Sequence, residues 1–340
     1  MVVEISQVED SLIKHFIDTQ DNCLLFQSYD YYCFLKDYLG ALDFSLVSID
    51  EGGNVNGCMF ILGKEGRFGT VLNSLPFYGS NGGIIASNVN AKQEIADYYN
   101  KLIQGNNIVS STVITSPLID DVELYRNHIN YNFEDYRIGQ LTPLNYDSPS
   151  DILDSFHSKT RNMVRKAEKS NVVIDIDNDA MDFIVDVHEK NMNEISGKAK
   201  SPEFFDSIQK HYSKGEDYQI YVASLDGQYI AGLLILNYKN IVEYFTPVVL
   251  SEYRNTQALS LIIYQVMKDK YETHDYLNWG GTWATQEGVH RFKKRWNSVD
   301  KNYFYFTQLN DLSLLQEDLG ALCNEYEYFY LFPFSASENA

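Results

Sequence analysis

The chain has 340 residues, more than one hydrophobic core usually supports, so two domains are expected. Its formal net charge of −20 argues against general binding to nucleic acid or anionic membranes, because the mean field of the protein repels phosphate. Aromatic residues make up 14% of the sequence, which excludes a disordered chain and is typical of well-filled cores and aromatic-walled clefts.

The first half of the chain predicts helices, an antiparallel meander, a loop, and then further helices and strands. In chain order, helical patterns occur at 10–19, 29–42, 90–104 and 120–128, and strand patterns at 44–50, 55–62, 69–73, 107–115 and 133–141. The stretch SLPFYGSNGGI, at 74–84, is rich in turn residues. The segment 142–149, which has prolines at both ends of a polar run, is predicted to be a linker.

The second half repeats this order of elements. Its helical patterns are at 151–170, 179–193, 201–211 and 256–270, and its meander comprises 218–225, 228–237 and 241–249. A strand at 275–279 is predicted to break at Gly280-Gly281, before a helix that ends in FKKRW and a strand at 301–308. A short helix near 312–323 and an aromatic tail, expected to pack on the second domain, end the chain.

This duplicated order predicts an α+β fold, in which each meander is extended by a βα crossover. The predicted domains are 1–145 and 146–310, and a C-terminal helix and aromatic tail form 311–340. No CxxC pair and no Cys/His group with zinc-site spacing occurs, so no metal site is predicted. The sequence shows neither a secretory signal nor a run of membrane-spanning length, and we expect a soluble, cytoplasmic protein.

Positive charge is concentrated in two places of this acidic chain. Arg161, Arg165 and Lys169 are spaced by four residues and form one stripe on the predicted helix 151–170, which suits a diphosphate. Phe292 and Lys293 begin the second cluster, FKKRW. From the residues alone, both clusters also fit the solvated face of an amphipathic helix.

Two further stretches are candidates for substrate binding. Tyr78, Gly82 and Gly83 lie in the loop at 74–84, which suits a sugar or nucleotide against an aromatic wall or, equally, a plain connection. Asn255 and Thr256 precede a predicted helix whose N-terminus suits a phosphate, although helix capping alone explains them.

These features together resemble the Fem-type family of the GNAT acyltransferase superfamily. The strand order of each half is similar to the GNAT fold. The motifs that carry the resemblance are RNMVRKAEKSNVVI, which opens the second half, and LNWGG with EGVHRFKKRWNS near its end. Fem-type enzymes are peptidyltransferases that add amino acids to the peptidoglycan interpeptide bridge, with relatives in envelope and polysaccharide biosynthesis. The resemblance covers most of the chain, roughly 29–308, and is most specific in the second half.

The resemblance implies two tandem GNAT-like domains, each a mixed, mostly antiparallel sheet flanked by helices, the first on the acceptor side. It implies an N-acyltransferase that moves an acyl or aminoacyl group onto a primary amine of a cell-envelope or polysaccharide precursor. In that reading Lys293 stabilises charge on the carbonyl under attack, with Phe292 beside it. Arg161 and Arg165 then bind the diphosphate of the precursor.

The resemblance also points to the meander strand IVEYFTPV, which faces the cleft in GNAT-like folds. Glu243 is then a candidate base for the acceptor amine and Tyr244 a candidate proton donor, although a strand glutamate more often faces solvent. His290, beside the FKKRW motif, is a candidate for sharing a proton and is otherwise structural.

No tightly bound cofactor is implied. The donor is either acyl-CoA or another acyl thioester, or an aminoacyl-tRNA. The net charge argues against tRNA, and the segment SEYRNTQALS, without a glycine where the CoA-binding motif belongs, argues against CoA. The implied acceptor is a nucleotide-linked amino sugar or a muropeptide. The alternative is a non-catalytic glycan or nucleotide-sugar binding protein built from degenerate GNAT domains, since tyrosine faces stack on sugars.

Overall fold

The computed structural model describes residues 1–77, 80–105 and 107–337. The chain forms two compact units, Met1–Arg137 with Asn302–Ala340, and Ile138–Lys301. Each unit contains helices and a mixed, mostly antiparallel sheet, which confirms the predicted α+β class. The units differ from the predicted domains in one main respect, because residues 302–340 belong with the first unit.

The elements follow the predicted order closely. The strands are β1 Val2–Glu4, β2 Leu42–Asp43, β3 Leu46–Ile49, β4 Val55–Met59, β5 Leu62–Gly66, β6 Gly69–Ser74, β7 Ile85–Ala86, β8 Ile108–Ile114, β9 Phe133–Pro143, β10 Val173–Ile176, β11 Tyr218–Leu225, β12 Gln228–Tyr238, β13 Ile241–Val249, β14 Tyr276–Thr282 and β15 Val299–Leu309. The helices are α1 Asp10–Asp18, α2 Tyr29–Leu39, α3 Val89–Leu102, α4 Val122–His128, α5 Pro149–Ser155, α6 Ser158–Lys169, α7 Met181–Glu194, α8 Pro202–His211, α9 Ala258–Lys270, α10 Glu287–Lys294 and α11 Leu319–Glu325.

The first unit contains an antiparallel sheet in the order β1-β3-β4-β7 and further strands in the order β15-β8-β6-β5-β2. Its one parallel pair among the described residues is β6 with β8, which α3 connects. These strands stay paired as far as Ser74, opposite Val113. The side chains of Ile95, Tyr99 and Val113 are buried in the core of this unit.

The C-terminal tail packs on the first unit, so its predicted packing on the second domain is wrong. The Tyr326 hydroxyl donates to the carbonyl of Gly69 at 2.8 Å. The Asn73 amide donates to the Tyr330 carbonyl at 2.8 Å and accepts from the Tyr330 N–H at 2.6 Å. The tail therefore hydrogen-bonds to β6, one strand of the parallel pair.

The second unit is a sheet in the order β10-β11-β12-β13-β14-β9. Its strands are antiparallel except for β13 with β14, which α9 connects. The segment 142–149 was predicted to be a linker, but β9 continues through Pro143 and pairs with β14. The strand β10 was not predicted; its short, exposed alternation gives little signal.

The helix predicted over 151–170 is two helices. Phe156 ends α5 in an extended conformation, and its side chain is buried against Trp296, with ring centroids 5.0 Å apart. His157 then begins α6 by accepting a hydrogen bond from the Lys159 N–H. Insertion of Phe156 into the core is therefore the reason that the helix breaks there.

Candidate active site

The parallel strands β13 and β14 separate soon after they meet. They pair over Ile241–Glu243 and Tyr276–Asn278, and no further paired positions occur in the ranges that the structure describes. Both strands bulge just beyond this point. In β13 the bulge leaves Phe245 without a partner on β12, and in β14 it lies between Asn278 and Gly281, opposite β9. Bulges bend strands and occur often beside active sites, so the opening is a candidate site.

The bulge in β14 replaces the predicted break at Gly280-Gly281. The strand continues to Thr282, and Gly280 lies in the left-handed region with a φ of 69°. A residue with a side chain is strained in this conformation, which explains a glycine there. The predicted helix begins after a short exposed loop, at Glu287.

Lys293 reaches this bulge from α10 and is 7% exposed. Its ammonium donates to the carbonyls of Gly280 and Gly281 at 3.3 and 3.0 Å and to the Thr282 hydroxyl at 2.8 Å. No carboxylate pairs with it among the described residues. Burial lowers the pKa of Lys293 to about 8, so the group is largely a cation at neutral pH. The side chain predicted to stabilise an oxyanion is therefore buried, cationic and held at the opening.

An aromatic cluster fixes α10 on the sheet. Phe292 packs edge-on against Trp279, with ring centroids 6.0 Å apart, and Trp296 is fully buried beside them. The Trp279 indole donates to the Thr142 hydroxyl at 2.9 Å, and that hydroxyl donates to the Trp296 carbonyl at 3.0 Å. Phe292 thus helps to set the position of Lys293.

Glu243 lies at the last paired position of β13, directly opposite Asn278. The Asn278 amide donates to both carboxylate oxygens, at 3.1 and 2.8 Å, and its oxygen accepts from the Gly280 N–H at 3.0 Å. Burial raises the pKa of Glu243 to about 8. A hydrogen-bonded chain thus runs from Glu243 through Asn278 and Gly280 to Lys293. Asn278 was missed in the sequence because an isolated strand asparagine carries no motif.

Tyr244, the predicted proton donor, points to the opposite face from Glu243, since successive strand residues alternate. Its ring packs on Trp279 at 4.9 Å, on the side of the core that includes α6 and α9. Burial raises the pKa of Tyr244, so the hydroxyl stays protonated. The structure therefore brings Tyr244 together with Phe292, and Glu243 together with Asn278.

Lys200 is a second residue at this site that the sequence did not reveal. Its Nζ donates to the carbonyl of the bulged residue Phe245 at 3.2 Å and to the Thr246 hydroxyl at 2.8 Å. Burial lowers the pKa of Lys200 to about 7. In the sequence, the run KAKSP before α8 suggests that Lys200 is solvated. The groups that bind its amine come instead from β13, more than 40 residues later in the chain.

The predicted cationic stripe on α6 is only partly available. The Arg161 guanidinium donates to the carbonyls of Asp154 and Phe156, at 3.2 and 2.5 Å, and so caps the end of α5. Arg165 and Lys169 are exposed, and neither forms an ion pair in the part of the chain that the structure describes. These two side chains remain candidates for a diphosphate.

Asn255 and Thr256 do not form the N-cap that was predicted. They end a 3₁₀ turn, Ser251–Thr256, and Gln257, with a φ of 62°, precedes the first residue of α9. The Thr256 hydroxyl accepts from the Ala258 N–H at 3.3 Å and donates to the Tyr253 carbonyl at 2.7 Å. The left-handed Gln257 shifts the start of the helix, so the predicted phosphate site is not formed by these residues.

The predicted loop in the first unit is built into its core. Gly82 and Gly83 are buried, and the Gly82 backbone donates to the Ile114 carbonyl and accepts from the Gln27 amide, each at 2.9 Å. A Cβ on Gly82 would lie 2.5 Å from the carbonyl oxygen of Ser74. Close packing therefore accounts for both glycines. Tyr78 lies outside the described residues.

His290 pairs with Asp300, with Nε2 and Oδ2 3.1 Å apart, and does not contact Lys293. Its carbonyl accepts from the Gln140 amide at 3.3 Å, which ties α10 to β9. In the described residues, no group of three or more His, Cys, Asp or Glu side chains is arranged to hold a metal ion. No helix there is long and apolar enough to cross a membrane.

The fold is the tandem GNAT fold of Fem-type proteins, as the motifs implied. Residues 154–294, which contain the opened strand pair, α6 and α10, match the family model of the acetyltransferase (GNAT) domain. The resemblance stated from the sequence is therefore confirmed.

Three solved structures illustrate this likeness. FemX is 14% identical with a TM-score of 0.72, covering 93% of this chain and 99% of its own. A tandem GNAT protein from the clavulanic acid biosynthesis pathway is 7% identical with a TM-score of 0.56, covering 92% and 98%. The C-terminal domain of a putative lysylphosphatidylglycerol synthetase from Agrobacterium fabrum is 11% identical with a TM-score of 0.58, covering 88% and 91%. No curated protein sequence matches the chain.

Proposed function

We propose that this protein is an N-acyltransferase of the Fem/GNAT type that moves an acyl or aminoacyl group from an activated donor onto a primary amine. The observation that carries the proposal is the buried ammonium of Lys293 at the opening between β13 and β14. A cation held in place before the reaction stabilises an oxyanion without reorganisation, which is usually the largest contribution to acyl transfer. The GNAT domain match over residues 154–294 supports the same reaction class.

In the reaction, the acceptor nitrogen attacks the acyl carbonyl carbon. A C–N bond forms, the bond to the leaving sulfur or oxygen breaks, and the leaving group takes the proton that the nitrogen releases. Lys293 donates to the carbonyl oxygen as charge collects there. Its 3.3 Å hydrogen bond to Gly280 is the longest of its three and so the most readily exchanged.

Tyr244 and Glu243 have different protonation properties in this mechanism. The raised pKa of Tyr244 keeps its hydroxyl protonated, so it suits protonation of the leaving group. Glu243 has a pKa of about 8 and holds its proton at neutral pH, so little of its ionised form is present to act as a base for the acceptor. We assign Glu243 mainly to holding Asn278 and the β14 bulge.

For the acceptor, we propose a nucleotide-linked amino sugar or muropeptide of cell-envelope or polysaccharide biosynthesis. The exposed cations Arg165 and Lys169 on α6 suit its diphosphate. Arg161, which already caps α5, would support them from the same helix. The donor is an acyl thioester such as acyl-CoA, or an aminoacyl-tRNA.

The test is a mass-spectrometric search for acylated products. The full-length protein is incubated with charged tRNA or acyl-CoA pools and with amino-sugar nucleotides or nucleotide-linked muropeptides. We expect one donor class to yield an amide on a primary amine of one acceptor. Binding of a nucleotide sugar without an acylated product from any combination would contradict the proposal and favour the non-catalytic binding protein.

A further inference from the structure

The two lysines at the opening differ in how many hydrogen bonds their side-chain nitrogens donate. Lys293 has three acceptors, which match the three N–H groups of an ammonium. Lys200 has two acceptors in the described chain, the Phe245 carbonyl and the Thr246 hydroxyl. A neutral amine has two N–H groups and one lone pair, so the acceptors of Lys200 are those of a neutral amine.

No carboxylate pairs with Lys200 among the described residues. Its Nζ lies 4.1 Å from the ring centroid of Phe245 and 5.4 Å from that of Phe204, and these ring faces stabilise the ammonium that forms when the amine takes up a proton. His188 on α7 faces the backbone of this residue, and its Nε2 accepts from the backbone N–H of Lys200 at 3.0 Å. Burial lowers the pKa of His188 to about 4, so His188 is neutral.

Among the described residues, no other titratable side chain hydrogen-bonds to the Lys200 amine. This includes Glu243 and Tyr244, its titratable neighbours on β13. From α8 the neighbouring side chain is the ring of Phe204. As a whole residue, Lys200 is partly exposed.

The register places the two lysines at corresponding positions on the two separating strands. Glu243 and Asn278 are partners in the parallel pair. Lys200 binds the carbonyl of Phe245, two residues beyond Glu243, and Lys293 binds that of Gly280, two residues beyond Asn278. Both amines therefore bind carbonyls that lie two residues beyond the last paired positions of β13 and β14.

We propose that Lys200 is a further catalytic residue, the general base that takes a proton from the ammonium form of the acceptor. This inference rests on the proposed acyl transfer. The acceptor R–NH₃⁺ gives one proton to the Lys200 lone pair and becomes the R–NH₂ nucleophile, and Lys200 becomes an ammonium. After the C–N bond has formed and the leaving group has departed with the second proton, Lys200 releases its proton to solvent.

A wild-type measurement tests the protonation state without a known substrate. The full-length protein is labelled with trace acetic anhydride between about pH 5 and pH 10, and labelling at each lysine is quantified by peptide mass spectrometry. Labelling of Lys200 should rise with a midpoint near 7, because burial lowers its pKa to about 7, with the exposed Lys190 as the internal reference. A midpoint above about 9 would overturn the proposal.

The kinetic arm uses the donor and acceptor identified by the product search. In the wild type, kcat/KM should rise with pH through about 7. In Lys200→Met and Lys200→Arg this rise of kcat/KM with pH should disappear, and kcat/KM should fall by about 100-fold or more. Ethylamine should partly rescue Lys200→Ala, and Lys190→Met should behave as wild type. An unchanged rise of kcat/KM with pH in Lys200→Arg would refute the base, whereas absence of any acyl transfer in the wild type would refute the proposed function itself.

Discussion

In the described part of each unit, one pair of strands is parallel and joined by a helix, and the two pairs differ in how far they stay together. In the first unit β6 and β8 remain paired to Ser74, and the C-terminal tail hydrogen-bonds to β6 through Tyr330. In the second unit β13 and β14 part after Glu243 and Asn278. The same connection therefore produces a closed pair in one unit and an open pair in the other.

The difference lies in the groups that bind the strand carbonyls just beyond the last paired residues. The open pair has a bulge in each strand. Lys200 binds a carbonyl of the bulge in β13, and Lys293 binds carbonyls of the bulge in β14. In the closed pair the carbonyl of Ile114, one residue beyond the last paired residue Val113, accepts from the uncharged backbone N–H of Gly82 at 2.9 Å. The comparison locates the cationic chemistry in the second unit.

The largest effect should come from Lys293→Met, which removes the proposed oxyanion donor. We expect acyl transfer to fall by about 100- to 1000-fold, the loss typical for removal of one such donor. The measurement is kcat/KM on the acceptor found by mass spectrometry. Lys294→Met, at the neighbouring exposed position, is the matched control and should retain most of the activity. Equal rates in both variants would contradict the role of Lys293.

The second prediction concerns pH and the carboxyl at the start of the opening. Glu243 has a pKa of about 8 in the folded protein, and about 4.3 is usual for an unfolded chain. Between these values the folded state holds a proton that the unfolded state releases, so this group lowers stability as pH rises. Between about pH 5 and pH 7 we expect a loss of about 2–3 kcal/mol from this group.

Urea unfolding of wild type and Glu243→Gln at these two pH values isolates the contribution, since glutamine keeps the shape and an acceptor for Asn278. The lowered pKa values of Lys200 and Lys293, about 7 and about 8, act in the opposite direction and mainly above these values. There the folded state has released protons that the unfolded state still holds, so stability rises with pH. A pH dependence that is identical in the two proteins would refute the raised pKa of Glu243.

The third prediction tests the closed pair. Asn73→Ala removes the two hydrogen bonds to the Tyr330 backbone, so the unfolding free energy should fall by about 1–3 kcal/mol. Turnover of the folded protein should not change, because the closed pair is not part of the proposed site. Denaturant unfolding and kcat measured on the same preparation check this, and a loss of kcat without a loss of stability would be inconsistent with it.

The smallest effect should come from Gly280→Ala. No atom lies within 4 Å of the added Cβ, so the cost comes from the φ of 69° and should be about 1 kcal/mol. The bulge also carries a carbonyl that binds Lys293, so activity should fall modestly. Gly227→Ala, also without neighbours and at a φ of 79°, is the matched control for strain and should leave activity unchanged.

Local sequence patterns predicted most elements of the fold and the position of Lys293. The duplicated order of meander, helix and strand follows from apolar periodicity, and the GNAT motifs singled out one lysine within FKKRW. The same patterns could not predict that Phe156 would divide a helix, because the cause is its burial against Trp296. They also could not place the tail on β6, since that contact joins Tyr330 to Asn73 across the sequence.

The remaining site residues depend on register, which local sequence does not contain. Asn278 matters because it is opposite Glu243 and two residues before the bulge at Gly280. Lys200 matters because the bulge in β13 exposes the Phe245 carbonyl to it. Neither relation has a spacing that could be found in the sequence, and both follow once the strands are paired.

Hydrogen–deuterium exchange tests most directly whether the open pair is the acyl-transfer site. The exchange is measured in the wild type and in the Lys293→Met protein, with and without the donor identified in the transfer assay. We predict that the donor slows exchange in residues 244–249 and 279–282, the segments beyond the last paired positions of β13 and β14. Protection confined instead to residues 70–74 and 108–113 of the closed pair, or absent from the open pair at saturating donor, would contradict the account.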